Sequence, residues 1–408
     1  MTENVSRPRT YLALGIVLNI CLGTVYSWSV FRVPLESYFT VGAVESGLPY
    51  MLMLAVFSLT MPLAGTVLKR IGPRRTALIG GILLGTGWVA SSWAPTMTAV
   101  SIFWGVLGGM GVGLTYVVPL TMAHAWFPSR RGLAMGLVLG GFGMSPFVTA
   151  PIAEFIIERR DVLASFRTLG IAFAVLIPLL ASSFQMPKDE AGVGDHPSHA
   201  VTAGQVLLTP RAMVKTREFY TLWIALLLGS IIGLGAIAIT SPWAQRIVGI
   251  TGGSAALAVS ILAIFNGVGR PLFGFFTDHL GLRRTASLAF VLTALAALVL
   301  LIDASNSIIS FAGAFAVFWL LLGGWLAIAP AATAKLFGPV SYAQNYGIVF
   351  QAYGLGAVLG TLYSGRLNEL FGSYRAVLWP ILIASFVGMV VSWWGFARIA
   401  PARSRRRG

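Results

Sequence analysis

The chain has 408 residues, of which 57% are hydrophobic and 10% charged, with a formal net charge of +15 and a mean hydropathy of +0.82. That hydropathy excludes a soluble globular domain, and continuous Leu/Ala/Gly-rich runs exclude the alternating segments of a membrane β-barrel. The positive charge would suit nucleic acid in a soluble protein, but its distribution along the chain follows membrane topology and excludes a nucleic-acid partner.

In chain order, apolar runs of about 18 to 26 residues, the length a bilayer requires, begin near Tyr11, Gly47, Ala77, Met97, Arg131 and Leu169. They resume near Phe219, Gly253, Ala286, Ser307, Ala343 and Ala376. This predicts an all-α integral membrane protein with twelve transmembrane helices. Before Tyr11 there is no room for a cleaved signal, so the first helix is expected to stay in the bilayer. A polar interruption containing Lys188, Asp189, Glu190, Asp195, His196 and His199 divides the chain. The expected units are a six-helix bundle over residues 1–186, a cytoplasmic linker over 187–217 and a second six-helix bundle over 218–408.

With both termini inside, the cytoplasmic segments hold 20 of the 28 Lys and Arg residues. The outer side keeps Arg32, Arg159, Arg160, Arg167, Arg246, Arg366 and Arg375, and Arg270 is left inside the membrane. Positive-inside bias therefore predicts a multi-pass protein of the plasma (inner) membrane, with N and C termini cytoplasmic. The Arg405, Arg406 and Arg407 tail reads as an anchor near anionic headgroups.

The two halves repeat. Gly65-Thr-Val-Leu-Lys-Arg-Ile-Gly-Pro-Arg-Arg-Thr-Ala77 aligns with Gly274-Phe-Phe-Thr-Asp-His-Leu-Gly-Leu-Arg-Arg-Thr-Ala286 at an offset of 209. An even number of helices separates the copies, so both lie on one face and the halves are parallel repeats around a central cavity.

Arg270 is the one charge between Ser254 and Thr277. It lies about 12 Å of helix from Asp278, near the middle of a ~30 Å hydrocarbon core. A cation there costs at least ~2.5 kcal/mol, so it is expected to face a polar cavity whose natural occupant is an anion. No Asp or Glu lies mid-helix to neutralise it; Glu154 and Asp303 fall near outer ends, and Glu36, Glu45 and Glu369 in or beside outer loops. An empty carrier must then reorient with an uncompensated charge, which favours exchange of one anion for another. Proton coupling stands beside exchange as the second mechanism.

Other features read as structural. Cys21 is the sole cysteine, so no intramolecular disulfide or cysteine-based metal site forms. His124, His196, His199 and His279 lack metal-ligand spacing, and neither metal nor cofactor is expected. Gly108-Gly-Met-Gly-Val-Gly113 follows no strand and serves close helix packing. Pro119, Pro146, Pro151, Pro242, Pro271 and Pro330 are candidate kinks. An enzyme is not supported, because no acidic pair, Cys-His pair or His-Glu motif is present. A membrane carboxylate sensor is the different-class alternative, weakened by a short central loop and short tails.

The Gly-x-x-x-Asp-x-x-Gly-x-Arg-Arg pattern, with Asp278 in the second copy and Lys69 in place of the acid in the first, resembles the loop signature of the major facilitator superfamily. Four segments resemble its oxalate:formate antiporter and monocarboxylate transporter branch: Val25-Tyr-Ser-Trp-Ser29, Trp126-Phe-Pro-Ser-Arg-Arg-Gly-Leu-Ala134, Phe265-Asn-Gly-Val-Gly-Arg-Pro271 and Asn345-Tyr-Gly347. The resemblance implies that Arg270 binds a substrate carboxylate and that Asp278, Arg283 and Arg74 serve the cytoplasmic gate. Tyr26 and Tyr116 match aromatic positions around the family's substrate. The offset of 209 carries Tyr116 to Trp325. Phe350 and Tyr353 join the expected binding set. Where the family's oxalate antiporter has a second cation, this chain has Tyr353, so one carboxylate is expected. Where animal monocarboxylate transporters carry a coupling aspartate, it has Asn266, which shares a helix face with Arg270 but cannot titrate near neutral pH. The expected function is alternating-access transport of small monocarboxylates such as lactate, pyruvate or formate. The partners expected are a small organic anion, the coupling proton of the symport mechanism and the lipid bilayer. The functional unit is expected to be a monomer, and an oxalate:formate-type dicarboxylate antiporter is the alternative.

Overall fold

The structure is a computed structural model that describes residues 3–127, 131–185, 208–338 and 341–397, with the backbone alone described at 3–7, 124, 131–133 and 343. The expectations for Lys188, Asp189, Glu190, Asp195, His196 and His199, the Arg405–Arg407 tail and the His124 side chain lie outside the described residues. Ten helical stretches are long and apolar enough to cross a bilayer. One of them, Ala43–Ser91, is two helices joined at Gly72. Tyr342–Val349 and Gln351–Phe371, joined at Phe350, supply one span more, giving twelve among the described residues.

We number them α1 (Pro8–Phe39), α2 (43–71), α3 (73–91), α4 (97–126), α5 (Arg131–Arg159) and α6 (Val162–Ser182). The second half holds α7 (Arg217–Val248), α8 (Gly252–Leu280), α9 (Leu282–Ile302), α10 (Ile308–Phe337), α11 (342–371) and α12 (Tyr374–Gly395). Polar N-caps start several of these helices: Asp161 accepts from Ala164, Thr216 from Phe219 and Thr251 from Ser254. Several of these helices are irregular along their length, α7 among them with a π-helical stretch at Ala244–Val248. Gly23–Ser27 forms a 3-10 turn within α1, and Ser101–Leu107 a π-helical stretch in α4.

The repeat seen in the sequence recurs in the backbone. Gly72 and Gly281, 209 residues apart, take φ of +79° and +80° at the α2–α3 and α8–α9 junctions. Four residues on, Thr76 and Thr285 each donate back to those glycine carbonyls, at 2.8 and 3.0 Å. The glycine run of α4 serves close packing as expected: a Cβ on Gly111 would lie 2.5 Å from the Leu84 amide and 2.6 Å from the Gly80 carbonyl oxygen.

The halves meet along three pairs of helices, α1 with α7, α2 with α11 and α5 with α8. Helices α3 with α6 and α9 with α12 form the flanks. Large apolar side chains such as Ile302, Ile309, Trp93 and Phe371 are exposed on the outside, as a lipid-facing surface requires.

A Cβ at Gly72 or Gly281 would meet no atom within 4 Å, so substitution there tests backbone strain alone. Gly72→Ala and Gly281→Ala are each expected to destabilise the protein by about 1–2 kcal/mol. Thermal unfolding in detergent checks this; a loss at one position without the other would break the equivalence of the two junctions.

Candidate functional site

Arg270 sits in the second half of α8 and is buried, with 4% of its surface exposed. Its Nη1 donates to the Leu139 carbonyl of α5 at 2.5 Å. Its Nε and Nη2 are buried with no partner. The Tyr116 hydroxyl of α4 lies beside the guanidinium. One turn earlier on α8, Asn266 donates from Nδ2 to the Trp319 carbonyl at 3.1 Å, and its Oδ1 is also unpartnered. Among the described residues no carboxylate pairs with Arg270. Each orphaned donor costs about 1–3 kcal/mol, an expense that a bound anion would relieve.

Close approach of α5 and α8 builds this arrangement. A Cβ on Gly143 would stand 2.5 Å from Asn266 Oδ1 and 3.3 Å from both Arg270 Nε and Nη2. Gly267 faces the Met144 side chain, and Ser260 donates to the Phe147 carbonyl at 2.8 Å.

Aromatic rings from both halves adjoin the cluster. Tyr26 and Tyr353 share a hydroxyl hydrogen bond of 2.6 Å between α1 and α11. Phe350 stacks on Tyr353 with centroids 4.7 Å apart. Phe57 and Phe142, absent from the sequence reading, hold the group together: Phe57 contacts Tyr116, Phe350 and Tyr353, and Phe142 contacts Tyr26 and Tyr116. The repeat could have found Phe57, because the offset of 209 maps it onto Asn266.

The structure thus brings Arg270, Asn266, Tyr26, Tyr116, Tyr353 and Phe350 into one neighbourhood, but not Trp325. The Trp325 indole packs into the slot left by Gly229 on α7 and against Phe290 of α9, at 5.1 Å between centroids. The gating residues also part company. Arg283 lies over the Trp393 ring of α12 at 3.7 Å, while Asp278 and Arg74 are exposed. Among the described residues Asp278 makes no ion pair.

The charges that do join the halves stand at the opposite end. Arg32, expected near an outer loop, is fully buried. Its Nε donates to Ser46 Oγ at 3.1 Å and Nη1 to the Ala238 carbonyl of α7 at 3.1 Å, while Nη2 bonds the Ala43 carbonyl. Glu36, one turn on, accepts from Ser46 Oγ at 2.6 Å and pairs with Arg246 of α7. Their i, i+4 spacing in one run was the available signal. Around this network, Glu369 of α11 accepts from the Val44 amide in the first turn of α2 at 2.9 Å. Glu154 and Glu158 of α5 reach the first turn of α8 at Gly252 and Gly253.

The sequence model of the major facilitator superfamily matches residues 12–243 and 230–408. The chain belongs to that superfamily. It is 26% identical to the oxalate:formate antiporter of Oxalobacter formigenes, over 94% of this chain and 90% of that one. It is 24% identical to human monocarboxylate transporter 12, over 91% of this chain and 76% of that one. Among solved structures, it is similar in fold to a bacterial homolog of the human lysosomal transporter Spinster in an inward-facing, unoccupied conformation. That similarity has a TM-score of 0.70 at 14% identity, over 97% of this chain and 95% of the other. At that identity the similarity shows the fold of this superfamily member and nothing of its site.

Removing Arg32 would take its donors from the Ala43 and Ala238 carbonyls and leave Glu36 with one cationic neighbour in place of two, so Arg32→Leu is expected to destabilise the protein by about 3 kcal/mol or more. Asp278→Asn, at an exposed site, should stay within about 0.5 kcal/mol of the parent. Thermal melts of both variants decide which end carries the stronger latch. Tyr353→Phe should cost about 1 kcal/mol by deleting the Tyr26 bond.

Proposed function

We propose that this superfamily member is a secondary transporter of small monocarboxylates, of the lactate, pyruvate and formate kind, working by alternating access. One observation carries the reading: a buried guanidinium, near the middle of a transmembrane helix, with two adjacent donors left without acceptors. A carboxylate matches those donors in charge and in fork geometry. The named substrates of the oxalate:formate antiporter and the monocarboxylate transporters to which the chain is similar support the same chemical class.

The aromatic groups Tyr26, Tyr116, Phe350 and Tyr353 wall the site, lower its dielectric and strengthen the ion pair. Transfer proceeds as the bundles 1–186 and 218–408 rock against each other, opening first one end and then the other. The end closed by Glu36 and Arg246 is taken as the outer one, with both termini cytoplasmic in the plasma membrane and a monomer as the working unit. No chemistry on the substrate is needed, so the protein acts as a carrier and not as an enzyme.

The oxalate-type alternative is favoured by similarity to the oxalate:formate antiporter. It is disfavoured by the state of the other buried cation, Arg32, whose donors are taken by protein acceptors. One available cation fits one carboxylate.

Uptake of labelled lactate, pyruvate, formate and oxalate into proteoliposomes tests the proposal. Carboxylate flux above empty liposomes is expected, with Arg270→Gln at least about 100-fold slower because the charge-assisted pair is lost. Flux that requires an internal carboxylate identifies exchange, and flux driven by an inward proton gradient identifies symport. Equal carboxylate flux in wild type and Arg270→Gln would overturn the role given to this residue.

A further inference from the structure

We infer that α5 occupies the substrate's place on Arg270 when the carrier is empty, so that a carboxylate must lift α5 off α8 to bind. The inference rests on the proposed role of Arg270 as the carboxylate site. Three observations carry it. First, among the described residues the hydrogen bond that Arg270 makes is to a main-chain oxygen, Leu139 O on α5, an acceptor of the helix backbone and not a dedicated counter-ion, with the Tyr116 hydroxyl beside the guanidinium. Second, Gly143, one turn beyond Leu139, faces the remaining Nε–Nη2 edge so closely that a Cβ there would stand 3.3 Å from both nitrogens. A side-on carboxylate needs the same space, since its oxygens must come within hydrogen-bond distance of those two nitrogens. Third, both nitrogens are buried and unpartnered, so the helix covers the edge without satisfying it.

The α5 backbone is therefore an internal competitor. It supplies one acceptor where a carboxylate would supply two and a full negative charge. Binding then depends on the fraction of molecules in which α5 has come away, and weakening its seat elsewhere must raise the apparent affinity. Ser260 offers the lever. Its hydroxyl, ten residues before Arg270 on α8, ties α5 through the Phe147 carbonyl at 2.8 Å and, among the described residues, makes no hydrogen bond to a site residue. Ser260 is thus a positioning residue, acting on Arg270 through α5.

The test is titration of purified protein in detergent with formate and with lactate, by calorimetry, in wild type, Ser260→Ala and Arg270→Gln. Ser260→Ala is expected to bind both acids about fivefold more tightly, the effect of removing one α5–α8 hydrogen bond from the competing state. A variant that merely loosened the fold would bind more weakly, so a gain separates the two explanations. In parallel, hydrogen exchange on the wild type should show faster exchange over residues 139–147 when lactate is present. If the acids bind the wild type and Ser260→Ala gains no affinity, or if exchange over 139–147 slows or stays unchanged at saturating lactate, the α5 inference falls and the Arg270 reading stands. If neither acid binds the wild type better than Arg270→Gln, the Arg270 reading falls and takes this inference with it.

Discussion

A guanidinium carries five donors and no acceptor, and inside a bilayer there is no water to absorb those it leaves over. Much of this structure can be understood as two answers to that constraint. Near one end, Arg32 is given protein acceptors on two helices, α2 and α7, and a carboxylate one turn away on its own helix. In the middle, Arg270 is given one main-chain oxygen and is otherwise starved. The first arrangement is finished and holds the two halves together. The second is unfinished, and a missing partner of the right charge would complete it.

The surrounding fold is arranged to keep the second arrangement sharp. Glycines at 143 and 267 let α5 and α8 approach so closely that the guanidinium has nowhere else to turn. Rings from both halves seal the neighbourhood, and the Tyr26–Tyr353 bond crosses between the halves. Packing, burial and charge thus converge on one side chain. The 3-10 turn Gly23–Ser27 contains Tyr26 itself, so α1 is irregular where it contributes to that seal.

The fold was legible because hydropathy and the repeat are properties of the chain alone. Twelve apolar runs and the paired Gly-Arg-Arg loops were readable without coordinates, down to glycines whose positive φ recurs at the same offset. The site was legible where one residue violated its surroundings, as Arg270 does. It was not legible where the outcome depended on what faced what. Trp325 is the case in point: the repeat places it level with Tyr116, but Gly229 opens a slot on α7 that takes the indole away from the centre, whereas the equivalent position on α1 holds Ile20. Arg32 was hidden by its nearness to a run's end, since no spacing rule announces a carbonyl from Ala238. Arg283 found the face of Trp393, a partner more than a hundred residues distant.

The carboxylates that reach across from α5 and α11 toward the first turns of α8 and α2 act on helix ends, whose partial charge is felt within one turn and is weakened by dissolved ions. Glu369 makes its contact to Val44 in an exposed position. Contacts of this kind respond to the medium as well as to sequence. The ease with which this end of the molecule parts is therefore tied to the ionic strength of the water that bathes it, so that a carrier of this design has a different resting balance in salty surroundings than in dilute ones.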